Sequence, residues 1–189
     1  MLNMSIPRLR PEETALLVID LQEKLMPTIH EGDRISANTA VILQAAGVLD
    51  LPFLLTEHYP RGLGRTIDEV AAAMPDPSRR IEKTKFSAAV DLVMEHLRAF
   101  ERPSILICGV EAHVCVLQTV LDLQASGFQC FMMLDAISAG QPEQIAPAIR
   151  RMERAGGIST GVLSVLYELM GDARHPAFKE LLPLAKLVR

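Results

Sequence analysis

Four short, continuous apolar runs, residues 14–20 (TALLVID), 52–56, 104–109 and 128–134, are set apart by stretches of helical length. Runs of this kind, without polar alternation, read as strands buried on both faces. The stretches 35–49, 88–100, 114–125 and 143–155 repeat apolar residues three and four apart, as amphipathic helices do. Strands alternating with helices imply a mainly parallel sheet covered on both sides. Extended pieces around 81–86 and 158–160 bring that sheet to about six strands. Gly127 and the pair Gly156-Gly157 stand where two of the helices should end. Residues 163–170 resume a helical pattern, and Pro176 suits the first turn of a last helix through Leu184. The expected architecture is an α/β fold, a three-layer αβα arrangement in one domain spanning 1–189. Its core covers about 12–172 and its C-terminal helix about 176–186, with no repeat or linker marking a second domain.

Composition narrows the partners. At 189 residues, 49% of them hydrophobic and 22% charged, the chain can bury a full core without staples. Its net charge is −4, its Lys and Arg residues are dispersed and Trp is absent, so neither a phosphate-binding stripe nor a stacking platform for nucleic acid is expected. Cys108, Cys115 and Cys130 are odd in number and lack metal-ligand or Cys-x-x-Cys spacing, which fits a reducing compartment. Residues 1–11 hold no apolar core of signal-peptide length, and no run approaches the ~18 to 20 apolar residues of a membrane span. The expectation is a cytoplasmic protein with no membrane partner.

The run Gly109-Val110-Glu111-Ala112-His113-Val114-Cys115 follows the apolar segment 104–108, so Cys115 falls where a buried strand turns into a helix. Unpaired N–H groups and the positive end of the helix dipole gather there, and both favour a thiolate or an oxyanion. A small buried hydrophobe is the competing reading of such a cysteine. Cys108 and Cys130 lie inside strands and read as core. His113, two residues from Cys115, does not face it on a helix.

Ligands of doubly wound sheets bind beyond the carboxyl ends of the strands, where Asp20 ends the first run. Asp20 is a candidate acid or a local cap. Lys83 and Lys85 lie in a segment that must cross the same rim, and in an extended chain both point to one face, so periodicity does not choose between them. Gln22, His58, Tyr59 and Phe86 are candidates to line a substrate pocket there, or to serve as packing. Arg61, before Gly62-Leu63-Gly64, suits a turn near that pocket, where it could grip a carboxylate or bind a neighbouring loop.

Taken in order, Asp20 after its strand, Lys83 before Phe86-Ser87, and the segment from Gly109 to Cys115 resemble the isochorismatase-like cysteine hydrolase superfamily. The likeness extends through Thr56-Glu57-His58-Tyr59-Pro60-Arg61-Gly62-Leu63-Gly64 and His175-Pro176-Ala177-Phe178-Lys179-Glu180 to the small stand-alone isochorismatase-domain proteins. The resemblance implies a Rossmann-like fold and a catalytic triad of Asp20, Lys83 and Cys115, and it favours Lys83 over Lys85. It further implies a cis peptide bond between Val110 and Glu111, with the Glu111 and Cys115 N–H groups forming an oxyanion hole. It implies a cofactor-free hydrolase that forms a covalent cysteine intermediate on a small amide or related acyl metabolite, and a homo-oligomer. Isochorismate hydrolysis itself needs no cysteine, so Cys115 tilts the reading toward amides. Metal-dependent relatives carry an Asp-x-His where this chain has Glu57-His58-Tyr59, so no metal is expected.

Two other classes compete with the hydrolase. One is a catalytically silent binding or assembly module that keeps the fold. The other is a thiol sensor, although no resolving cysteine is spaced nearby. A dinucleotide enzyme is disfavoured because no Gly-x-Gly-x-x-Gly follows the first strand.

Overall fold

The computed structural model describes residues 6–189. Within them β1 (Thr14–Ile19), β2 (Phe53–His58), β3 (Arg80–Lys83), β4 (Ser104–Gly109), β5 (Gln129–Ile137) and β6 (Ile158–Thr160) form one six-stranded parallel sheet in the order β3-β2-β1-β4-β5-β6. The helices are α1 (Gly32–Val48), α2 (Pro60–Leu63), α3 (Asp68–Ala73), α4 (Asp91–Ala99), α5 (Leu117–Ala125), α6 (Pro142–Arg154), α7 (Val162–Met170) and α8 (Phe178–Ala185).

The unbroken apolar runs are explained by two separate cores. Leu16, Val18, Leu106 and Cys108 enter one with residues of α1, α7 and α8; Ala15, Leu17, Ile105 and Ile107 enter the other with Val93, Leu97, Val120 and Met152. Alternate side chains of one strand therefore both leave water, each contributing about 1.5–3 kcal/mol for a fully buried Leu or Ile. No helix among the described residues is long and apolar enough to cross a membrane.

The chain leaves β1 toward β2 on one side, while β4 leads to β5 on the other. Their adjacent carboxyl ends therefore bound a crevice at the point where strand order reverses.

The observed boundaries differ from the expected ones for identifiable reasons. β2 runs past Thr56 to His58 because Glu57 and His58 still pair with Glu82 and Lys83 of β3. β3 ends at Lys83, short of Phe86, because the chain folds back so that the carbonyls of Lys85 and Phe86 meet the Lys83 ammonium. The last helix opens at Phe178, not Pro176, since the Ala177 N–H donates to His175 Nδ1 at 3.1 Å and the Phe178 N–H to the His175 carbonyl at 2.9 Å, closing a turn first. Cys115 lies in a wide π turn, Ala112–Val116, ahead of α5 and not in the first turn of an α-helix. Such turns recur at functional sites.

Candidate active site

Gly109 sets the geometry at the end of β4. Its φ is +125°, and a Cβ there would collide with the Ile19 carbonyl of β1, so glycine alone allows the two strand ends to lie this close. The Val110 N–H donates to that carbonyl at 2.9 Å, and the peptide bond joining Val110 to Glu111 is cis. The π turn follows, anchored by the Ala112 N–H on the Ser138 carbonyl at 2.8 Å.

Asp20, the residue after β1, adopts a left-handed φ of 59°, which aspartate tolerates better than most side chains. Register places Thr56 of β2 opposite Ile19 and Lys83 of β3 opposite His58, which brings both toward Asp20. The Thr56 hydroxyl donates to Asp20 Oδ1 at 2.7 Å, and Lys83 Nζ donates to Oδ2 at 2.6 Å. All three side chains are buried. Lys83 Nζ also donates to the carbonyls of Lys85 at 3.2 Å and Phe86 at 2.9 Å, so an ammonium's donors are all engaged. Ion pairs withstand burial only when satisfied in this way. Lys85 is exposed, which separates it from Lys83 where strand periodicity does not.

The third group is Cys115, 6% exposed. Burial and, after it, the Asp20 charge push its thiol up to about 12; Lys83 opposes them, Asp20 raises it further as a hydrogen-bond partner, and the Glu111 N–H opposes by donating to the sulfur. The position was expected to favour a thiolate, but desolvation and the neighbouring carboxylate outweigh the N–H donor, so the resting group is a neutral thiol. Burial likewise pushes Cys108 and Cys130 up to about 12, but neither has Asp20 beside it. The site of Cys115 is thus distinguished by its neighbours and not by its acidity.

Two hydroxyls brace the site that the sequence did not mark. Besides Thr56, Thr119 Oγ1 donates to the Cys115 carbonyl at 2.6 Å and accepts from the Ala88 N–H at 2.8 Å, tying the π turn to the loop after β3. Thr56 had a signal, a hydroxyl closing an apolar run at the functional rim. Thr119 had none beyond lying one turn past Cys115.

The remaining candidates divide. The Gln22 amide is fully buried and engaged with backbone, accepting from the His58 N–H at 2.7 Å and donating to the His58 and Gly64 carbonyls at 3.0 and 2.7 Å. It is a brace and has no group facing a ligand. The half-buried His58 ring lies 5.4 Å from that of Phe86; burial and the Lys83 charge push its pKa down, with Asp20 opposing, so it is neutral at neutral pH. Tyr59 and Phe86 are both 53% exposed, and Tyr59 walls a cleft of about 500 Å³ with Arg61, Lys83, Lys85 and Asp91. His113 Nδ1 lies 3.6 Å from the Glu111 carboxylate. Among the described residues no cluster of three or more His, Cys, Asp and Glu has the geometry to hold a metal ion.

A model of the isochorismatase domain matches residues 14–162. Isochorismatase domain-containing protein 2 of Rattus norvegicus is 37% identical over 182 residues, covering 96% of this chain and 85% of the rat protein. The solved structure of the MAR1 ribonuclease from Caenorhabditis elegans superposes with a TM-score of 0.91 at 34% identity, covering 94% of this chain and 92% of the other. YcaC from Pseudomonas aeruginosa, solved with hexane-2,5-diol and covalent acrylamide, gives 0.88 at 25% identity over 98% of each chain.

Proposed function

The chain belongs to the isochorismatase domain family, and from that premise we propose that it is a cysteine hydrolase acting on a small amide or related acyl compound through an Asp20-Lys83-Cys115 triad. The observation that carries the reading is the buried convergence of an ion-paired carboxylate with a thiol on neighbouring strand ends.

In this mechanism Asp20 takes the proton of the Cys115 thiol as Sγ attacks the carbonyl carbon, and the C=O π electrons move to oxygen. Lys83 touches no substrate. Its three engaged donors hold Asp20 in place and offset the negative charge that the Asp20 and Cys115 pair carries throughout. The oxyanion is held by the N–H groups of Glu111 and Cys115, the former already directed at the sulfur. As the tetrahedral intermediate collapses, the C–N bond breaks and Asp20 returns its proton to the leaving amine, leaving a thioester. Water, deprotonated by Asp20, then adds to the thioester carbon; the C–S bond breaks, releasing the acid and restoring the thiol. A neutral resting thiol suits this scheme, because the thiolate forms only as Asp20 beside it accepts the proton.

Covalent acrylamide in the P. aeruginosa structure supports probing with the same electrophile. On exposure to acrylamide, peptide mass spectrometry should find Cys115 modified well before the fully buried Cys108 and Cys130, and a Cys115→Ala variant should lose hydrolysis of any amide substrate found by screening. Equal, slow modification of all three cysteines would favour a silent binding module instead. Association into a homo-oligomer belongs to the same reading and draws support from Leu163 and Tyr167, exposed one turn apart on α7. Light scattering would test it, with a monomer ruling it out.

A further inference from the structure

Building on the hydrolase reading, we propose that His58 is a positioning residue that acts on Asp20. While its imidazole is uncharged, Asp20 keeps the basicity that the reaction needs, and a proton taken up by the ring from solvent withdraws it.

The sheet sets the ring beside the ion pair. Side chains alternate along a strand, so Leu54, Thr56 and His58 of β2 share one face, as do Ile81 and Lys83 of β3. Leu54 and Ile81 enter the same core as Cys115, which makes this the face that carries the site. Thr56 pairs with Ile81 in the sheet, and His58 pairs with Lys83. His58 thus lies about 6.6 Å along the strand beyond the threonine that holds Asp20 Oδ1. From the loop after β3 the Phe86 ring meets the imidazole at 5.4 Å between centroids, while the Phe86 carbonyl accepts from Lys83 Nζ at 2.9 Å. The root of the ring is fixed as well, because the Gln22 amide engages both the N–H and the carbonyl of His58.

Two charges face the ring, Lys83 from β3 and Asp20 from the end of β1, and the Lys85 carbonyl faces it from the loop after β3. The segment after β1 adds only the uncharged Gln22 amide, and the Cys115 thiol on the same face is neutral at rest. Glu57 lies on the opposite face of β2, where Arg65 and Arg80 pair with it. Burial first and the Lys83 charge second keep the ring neutral, whereas Asp20 and the Lys85 carbonyl favour its charged form. Linkage makes the effect of Asp20 mutual: a carboxylate that favours a protonated ring is itself held as the anion once the ring is protonated. Moving the Cys115 proton onto Asp20 then costs more, since negative charge must leave the neighbourhood of the new cation for the sulfur. Nδ1 of His58 is buried without a hydrogen-bond partner among the described residues, so the fold keeps a polar atom where an apolar side chain would cost less.

The test follows the rate at which acrylamide modifies Cys115 in the intact protein as pH falls, beside the titration of the His58 imidazole read by NMR. The rate should drop roughly tenfold as the ring takes up its proton, because one nearby cation moves a carboxylate by a unit or more. Its midpoint should lie below the ordinary histidine value of about 6.5 and coincide with the midpoint of the ring. His58→Gln, whose side chain gains no charge, should abolish that limb and leave only the fall that protonation of Asp20 itself brings at lower pH. A rate that holds steady while the ring titrates, or a limb that persists unmoved in His58→Gln, would overturn the proposal. The comparison of midpoints needs only the unaltered protein, so it decides the matter even where the variant does not fold. Failure of acrylamide to modify Cys115 ahead of Cys108 and Cys130 would instead overturn the hydrolase reading and this inference with it.

Discussion

Lys83 Nζ meets Asp20 Oδ2 at 2.6 Å across 63 residues of sequence, with both side chains out of contact with water. Neither charge is tolerable there alone, so each is the condition for the other's burial. Replacing Lys83 with Met should leave an uncompensated buried carboxylate and destabilise the fold by about 3–5 kcal/mol, read by chemical denaturation. A double variant, Asp20→Asn with Lys83→Met, should recover part of that loss while remaining inactive.

Asp20→Asn alone separates electrostatics from catalysis. The Asp20 charge and its acceptor role both raise the Cys115 thiol, which sits at about 12. Removing them should bring the titration of Cys115 down, followed by thiolate absorbance in a Cys108→Ala, Cys130→Ala background. Turnover of an identified substrate should nevertheless fall by roughly 10² to 10⁴, since the proposed base is gone. An unmoved titration would show that Asp20 does not act on the sulfur.

Thr56→Val keeps the shape of β2 but withdraws the hydroxyl that holds Asp20 Oδ1 at 2.7 Å. The expected outcome is a stability loss of about 1–3 kcal/mol from an unpaired acceptor, together with a fall in kcat at little changed KM. Thr56→Ser, which restores the donor, should recover most of the activity.

Gly109→Ala should be among the most damaging single-methyl changes in the protein. The added Cβ meets the Ile19 carbonyl at a φ of +125°, so the ends of β1 and β4 must separate. A cost of about 2–5 kcal/mol is expected from backbone strain and overpacking together. Modification of Cys115 should slow even at temperatures where the variant stays folded.

Glu57 contributes to acid sensitivity. Burial on its own would raise it, but the Thr66 N–H and hydroxyl, Arg65 and the Arg80 charge together bring it below its ordinary value. A carboxylate lowered in the folded state stabilises the protein above the unfolded pKa of about 4.3, and that contribution fades as pH falls through the lower folded value. Glu57→Gln should therefore flatten the pH dependence of stability below about pH 4.3 and leave the neutral-pH cysteine chemistry intact.

The parallel sheet was legible because each strand is buried on both faces, which leaves an unbroken apolar run and little else to read. β4 was expected and found at residues 104–109. Boundaries set by tertiary partners were not legible: β3 stops at Lys83 because carbonyls two and three residues later turn back to its ammonium, a contact no local pattern encodes. At the site, family resemblance distinguished Lys83 from Lys85 where strand period did not, and burial gives the physical basis for the distinction. The turn N–H groups near Cys115 were legible, but the Asp20 carboxylate that the fold sets against the sulfur, which raises the thiol, lies 95 residues away in sequence and was not. Thr119 acts through two backbone groups, the Cys115 carbonyl and the Ala88 N–H, so its residue type carries no trace of the role.

The order of strands has one more consequence. The acid, its threonine and the lysine all come from chain before residue 84, whereas the sulfur comes from after residue 104, and the exposed junction between α4 and β4 separates the two groups. Cleaving the protein there would yield two halves, neither holding the whole proposed triad, so that hydrolysis should return only on reassembly, which would make the molecule a natural candidate for a split reporter.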